Sequence, residues 1–225
     1  MSGAMSLMMA SGIGTYPTYE AAGTGAIEAP GAGGSFDIPY PSGIVSGSFL
    51  VAAIAFQDLT AVAGITVPAG WTQLGSTLAN AAVTLRYYCI YKVADGTETG
   101  SLTVSVTSTN VDVATSGRMF RFANASAIDQ VSQAFTEITG TAMALPTITP
   151  TYLNTLCVGL VLATGTTTYT PATYTEPVAE YNPSANIMIG ICTLAVRLPG
   201  SSTFDNGTIG TTTINRGRFQ FNLRK

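Results

Sequence analysis

The stretch VTLRYYCIYKV, Val83–Val93, decides the fold. Its side chains alternate with a period of two. Val83, Leu85, Tyr87, Cys89, Tyr91 and Val93 fall on one face, and Thr84, Arg86, Tyr88, Ile90 and Lys92 on the other. A helix would place its apolar residues three and four apart, so this is a strand whose first face is expected in a core. Asp95 and Gly96 then mark a tight turn. Beyond it Leu102, Val104 and Val106 alternate with Ser101, Thr103, Ser105 and Thr107, which reads as the second half of a hairpin or near-hairpin.

Working outward, the same signature recurs at Phe49–Gln57, Trp71–Thr77, Gly117–Ala123, Ala142–Ile148, Thr155–Ala163, Asn186–Leu198 and Ile214–Leu223. In the last of these, Phe219, Phe221 and Leu223 point one way while Arg218, Gln220, Asn222 and Arg224 point the other, as in a half-buried strand. Breaks rich in Gly, Pro and Thr separate the strands, notably Pro39–Gly43, Thr164–Pro171, Tyr181–Ser184 and Asp205–Gly207, and none has the length of a domain linker. Helix signals are scarce. The expectation is an all-β protein: an antiparallel β-sandwich of jelly-roll type, one domain over residues 35–225, preceded by an extended N-terminal arm over residues 1–34. Single all-β units commonly reach about 200–250 residues, which fits the chain of 225.

Composition narrows the chemistry. The chain is 46% apolar and only 9% charged, with 9 Lys+Arg, 12 Asp+Glu and no histidine, where soluble domains carry roughly 25% charged residues. Without histidine there is no Ser-His-Asp or Cys-His machinery and no imidazole ligand for zinc. A net charge of -3 with only two lysines, Lys92 and Lys225, leaves little to neutralise a phosphate backbone, so nucleic acid is not an expected partner. No apolar run approaches the ~20 residues of a membrane-spanning helix, and the first residues lack the cationic start of a secretory signal. Neither membrane nor export is expected. Cys89, Cys157 and Cys192 each sit inside an apolar run without CxxC spacing, which reads as three buried thiols rather than a disulfide framework or metal site.

No motif assigns a catalytic residue, a cofactor or a metal, and the expected protein is not an enzyme. Asp95 with Glu98, and Glu176 with Glu180, are the nearest approach to calcium-ligand clusters, but calcium needs six to eight oxygens and turn chemistry accounts for both pairs. A glycosidase-type carboxylate pair stays open, since its mark is separation in space. Three groups of residues are candidates for contact with partners. In the arm these are Met5, Leu7, Met8, Met9, Ile13, Tyr16 and Tyr19, because thioether side chains adapt to a partner's groove. On the last strand Arg216, Arg218 and Arg224 form a basic stripe on the expected solvent face, opposite in sign to an N-terminal part whose first base is Arg86. Tyr169, Tyr174 and Tyr181 belong to an expected exposed Thr/Tyr loop with the composition of a sugar platform.

The run SFLVAAIAF, the turn VPAGWTQLGS and the strand ending YYCIYKVADGTETGSLTVSV together resemble a jelly-roll type module of tailed-phage structural proteins. Pro68, Gly70, Trp71, Ala94, Gly96 and Glu98 carry the resemblance, which covers roughly the middle third. It implies fold and setting rather than catalysis. The implied role is a virion protein that decorates or cements a capsid as a homotrimer, with the major capsid protein or a tail component as partner. A tail-fibre, baseplate or receptor-binding module contacting host glycans is the alternative. Excess apolar content, with a mean hydropathy of +0.34, agrees with a chain that neighbours cover.

Overall fold

The computed structural model describes residues 15–28, 34–57, 64–80, 85–107, 114–165, 168–182, 186–200 and 206–225. Every regular element among them is a strand, and all pairings are antiparallel. Strands are numbered in chain order. A seven-stranded sheet is ordered β1 (Thr18–Ala22), β10 (Ala114–Ala123), β4 (Phe49–Gln57), β8 (Leu85–Val93) and β6 (Thr72–Gln73), with β2 (Ala26–Glu28) beside β1 on β10 and β7 (Leu78–Ala79) beside β6 on β8. A three-stranded sheet has the order β3 (Ser35–Pro39), β9 (Ser101–Val106), β5 (Ile65–Thr66). The third sheet runs β11 (Ala127–Ala144), β16 (Asn206–Arg224), β12 (Thr155–Thr164), β15 (Ile187–Val196), β14 (Thr175–Asn182), with β13 (Tyr169–Thr170) on β16.

The sheets stack, and period-two alternation assigns each side chain to a layer. On β4, Phe49, Val51, Ala53 and Ala55 join Tyr87, Cys89, Phe120 and Phe122 against Val158, Leu160, Ile189, Phe219 and Phe221 of the third sheet. Its other face, Leu50, Ala52, Ile54 and Phe56, packs on Phe36, Ile38, Leu102 and Val104 of the three-stranded sheet. The third sheet is covered on its outer face too: Cys157, Val161, Met188 and Cys192 lie under Met143, Leu145, Ile148, Tyr169, Tyr174 and Ile209. Small residues set the spacing between layers. A Cβ on Gly217 would lie 2.1 Å from the Tyr87 ring, and one on Gly159 would lie 2.3 Å from Leu145.

The sandwich class therefore stands, while several local expectations change. Tyr88 and Ile90, on the second face of β8, are buried at 5% and 0% exposure because β3, β9 and β5 cover them. Within the expected arm, Thr18–Ala22 and Ala26–Glu28 are strands on the edge of β10. Edge addition needs backbone hydrogen bonds and one anchored ring, here Tyr19 edge-on to Phe122 at 5.9 Å, and no apolar stripe. Only Ala142–Ala144 of the expected strand Ala142–Ile148 is in a strand, as the end of β11; most of that 18-residue strand was unexpected.

Candidate functional site

One end of the stack gathers the start of β4, the end of β8, the ends of β10 and β16, and the start of β12 with the end of β15. Pro68, Gly70, Trp71, Ala94, Gly96 and Glu98, singled out in the sequence, shape part of this end. Trp71 N–H donates to Pro68 O at 3.0 Å, and Gly70 takes a positive φ of 78° to close that turn. Trp71 is then 8% exposed in the core shared with Tyr88 and Ala94. Ala94 is tied to the loop before β4 by two backbone bonds, Ala94 N–H to Ser48 O at 2.8 Å and Gly47 N–H to Ala94 O at 2.9 Å. Gly96 sits at φ 93°, where a Cβ would lie 2.8 Å from Ser46 N.

Glu98 completes the turn. Its carboxylate accepts the N–H groups of Asp95 (3.2 Å) and Gly96 (3.0 Å) and pairs with Lys92 Nζ at 2.6 Å. Burial alone would raise its pKa, but Lys92 and the two amides outweigh burial and hold it below the ordinary glutamate range. Asp95 Oδ1 accepts Thr97 N–H at 2.9 Å and Thr97 Oγ1–H at 2.5 Å. These oxygens are engaged in shaping the turn, and no group of three metal-capable side chains occurs among the described residues. The side chains of Glu176 and Glu180 lie outside the described residues.

Exposed apolar side chains are found at this same end. Among the described residues, seven large hydrophobics are exposed, and Val45, Val93, Tyr152, Leu153 and Leu198 of these belong to its loops and strand termini. Leu153 and Leu198 are 62% and 65% exposed, on two turns joined by Gly200 N–H to Pro150 O at 2.8 Å. Cations border them: Arg224 lies 4.4 Å over the Tyr152 ring, Arg197 lies 5.9 Å over the Tyr16 ring, and Lys225 Nζ donates to Thr15 Oγ1 at 2.9 Å.

Between these features runs an open groove of about 540 Å³. Tyr16, Pro17, Thr18 and Tyr19 line it from the β1 side, and Leu156, Leu194 and Ala195 from β12 and β15, with the hydroxyls of Thr175 and Thr193 and the guanidinium of Arg197 beside them. Pro17 is buried and Tyr16 and Tyr19 are half-buried. Burial raises the Tyr19 phenol above its ordinary pKa against the pull of Arg118, so the ring faces the groove uncharged at neutral pH.

The expected site residues divide accordingly. Tyr16 and Tyr19 lie together on the groove, whereas Met5, Leu7, Met8, Met9 and Ile13 lie outside the described residues. The basic stripe of β16 is corrected at Arg216, which is interior, while Arg218 and Arg224 are half-buried. Arg216 is 2% exposed and donates Nη1 to Ala142 O and Nη2 to Gly140 O. Arg218 donates Nη1 to Ala144 O at 2.6 Å and Nη2 to Thr136 Oγ1. Both guanidiniums clamp the end of β11 over the sheet, and burial lowers the pKa of each, with the charge of Arg216 adding to the effect on Arg218. Arg224, half-buried like Arg218, lies over Tyr152 at the apolar end.

The tyrosine loop is corrected as well. Tyr169 is 1% and Tyr174 5% exposed, and the Tyr174 hydroxyl accepts Gln220 Nε2–H at 2.6 Å. These rings cover the outer face of the third sheet, which otherwise would present Cys157, Val161 and Cys192 to water. Tyr181 pairs with Met188 in β14, and its side chain lies outside the described residues. Sequence reading missed the groove residues Leu156, Leu194, Ala195 and Arg197; the one signal for them was a cation immediately after the apolar run of β15, ahead of an exposed turn. Set against known protein families, curated proteins and solved structures, the chain matches none.

Proposed function

We propose that this chain is a non-enzymatic structural protein of a phage virion, a decoration or cement protein that docks on the major capsid protein, as a homotrimer, and adds buried area between capsomers. The observation that carries the reading is the group of exposed apolar side chains at this described end. A layered body that tucks its apolar side chains between sheets leaves Val45, Val93, Tyr152, Leu153 and Leu198 exposed around one end, and such groups mark surfaces that a partner covers. The turns that carry the phage-module resemblance support it in a second way. Pro68, Gly70, Trp71, Gly96 and Glu98 are occupied in holding loops of that end in shape, as a rigid docking face requires. The alternative of a tail or receptor-binding module reading host glycans loses Tyr169 and Tyr174, which are interior residues.

Immuno-electron microscopy of particles from the source culture, with antibody raised against the folded chain, tests the proposal. Regular label over the shell is the expected result. Label confined to a tail tip, or absent from every particle, overturns it. On shells that carry the label, Leu153→Asp with Leu198→Asp is expected to lower occupancy.

A further inference from the structure

We propose that a carboxylate side chain of a polypeptide partner, next to an apolar residue of that partner, seats in a polar pocket of this same end and meets the guanidinium of Arg121 there. The inference rests on the docking reading above for its setting and adds the chemistry of the contact. The pocket has a volume of about 290 Å³ and lies between the loop leading into β4 and the end of β10. Val45, Ser46, Ser48, Arg121 and Asn124 line it, and among the described residues no acidic side chain does.

Arg121 carries the argument. Met119, on the same face of β10, is buried under the three-stranded sheet, whereas Arg121 lines the pocket with a side chain 15% exposed. Among the described residues its Nε is buried without a hydrogen-bond partner, and its ionic neighbour Glu20 stays 3.9 Å from Nη2, beyond hydrogen-bond reach. The other Glu20 oxygen accepts the Thr18 hydroxyl at 2.7 Å. A largely buried cation left without an acceptor is costly, and the fork of a guanidinium matches the two oxygens of a carboxylate. The rest of the lining suits the same group. Ser48 Oγ accepts Val45 N–H at 3.1 Å, which leaves its own O–H to donate, and Ser46 and Asn124 add a hydroxyl and a carboxamide. Ser48 N–H to Val45 O and Gly47 N–H to Ala94 O, both at 2.9 Å, fix the loop, so the donors stand in place before a ligand arrives. The rim selects a polypeptide over a free anion. Val45 is 62% exposed at the pocket, and Val93, 44% exposed, pairs with Phe49 just beyond the loop, so an apolar neighbour of the carboxylate gains cover that an inorganic ion cannot supply.

Arginine side-chain NMR on the purified full chain reads the contact at the Nε–H of Arg121. The probes are the blocked peptide acetyl-Val-Glu-amide, its uncharged isostere acetyl-Val-Gln-amide, and inorganic phosphate. The Glu peptide is expected to shift that resonance saturably with a Kd of about 1 mM, and the Gln peptide and phosphate to bind at least about tenfold more weakly. Asn124→Gly, which suits the φ of 56° at that position, should weaken the Glu peptide while leaving the Arg121 resonance in place. Arg121→Met should abolish binding, followed through the backbone amides of Ser46 and Ser48, without lowering the urea midpoint. Equal response to the Glu and Gln peptides, tighter binding of phosphate, or an Arg121→Met chain that binds as before would each overturn the inference. So would an Arg121→Met chain that fails to fold, since the guanidinium would then be a structural member. No particle enters this assay: labelled shells with no peptide binding would sink this inference alone, and peptide binding with unlabelled shells the virion reading alone.

Discussion

Replacing Gly217 by alanine puts a single methyl group at a close approach of the two large sheets. Gly217 lies opposite Phe135 and Leu162 in register, and a Cβ there would meet three atoms of the Tyr87 ring at 2.1, 2.8 and 2.9 Å. Two effects of opposite sign compete. Removing a glycine from the unfolded chain stabilises by about 0.4–1 kcal/mol where the native backbone tolerates alanine, and the φ of Gly217 lies outside the left-handed region. Overpacking a close-packed core costs about 1–3 kcal/mol. The steric side should win near its upper limit, because Tyr87 is wholly buried and its ring lies against Phe135 at 5.8 Å. A net loss of about 2 kcal/mol is expected, or roughly 4–8 °C in Tm for a chain of this size. Urea unfolding measures it through the midpoint at constant slope. A double-mutant cycle supplies the control: in the Tyr87→Ala background, Gly217→Ala should cost at least ~1 kcal/mol less, since the clashing ring is gone. An effect of Gly217→Ala within about 0.5 kcal/mol of zero, or costs that simply add, would refute the proposed contact between layers.

Four further outcomes are expected. Tyr87→Phe should leave stability unchanged or raise it by up to about 1–3 kcal/mol in the same urea assay, because among the described residues the buried Tyr87 hydroxyl has no hydrogen-bond partner. Tyr174→Phe, which removes the acceptor of Gln220, should cost roughly 1–2 kcal/mol. Glu98, held below its ordinary pKa in the folded state, contributes stability that is present above the unfolded glutamate pKa of about 4.3 and is lost as pH falls through the folded value. Stability profiles of the unaltered chain and Glu98→Gln should therefore differ at neutral pH and converge in strong acid. The thiols Cys89, Cys157 and Cys192 are all buried, and burial pushes Cys89 well above its ordinary pKa, so a thiol reagent should titrate none at pH 8 until denaturant is added and then all three.

How far the chain could be read depends on what each segment asks of its side chains. β8 and β9 alternate cleanly in sequence, and that placed both strands, but the expected hairpin is not formed: β9 pairs with β3 and β5 in a different sheet from β8. The second faces were harder. A strand covered on both sides reads as a continuous apolar run, and FLVAAIAF in β4 is such a run, yet β8 carries Arg86 and Lys92 at its ends and so imitates a half-exposed strand. β1 and β2 left almost no trace because an edge strand borrows its hydrogen bonds from β10 and needs little burial of its own. On β16 the polar face of Arg216, Arg218, Gln220 and Asn222 pointed to solvent by the usual rule. Arg216, Gln220 and Asn222 are interior and Arg218 is half-buried, because these side chains meet backbone carbonyls, a thiol and a phenol of segments far away in sequence. The groove failed to show for a similar reason, since Tyr16 and Arg197 meet only in space.

The position of β4 between two covered faces also matters during synthesis. Both strands that flank it, β8 and β10, follow it in the chain, so Phe49–Phe56 leaves the ribosome as eight uncharged apolar residues with neither of its pairing strands yet made. Segments of this kind, high in β propensity and lacking charge or proline, are the ones that pair with copies of themselves, and here only Asp58 and the Ser46–Ser48 turn stand guard at the ends. Soluble yield should therefore follow the rate of translation more than the stability of the finished protein, rising when expression is slowed and cooled.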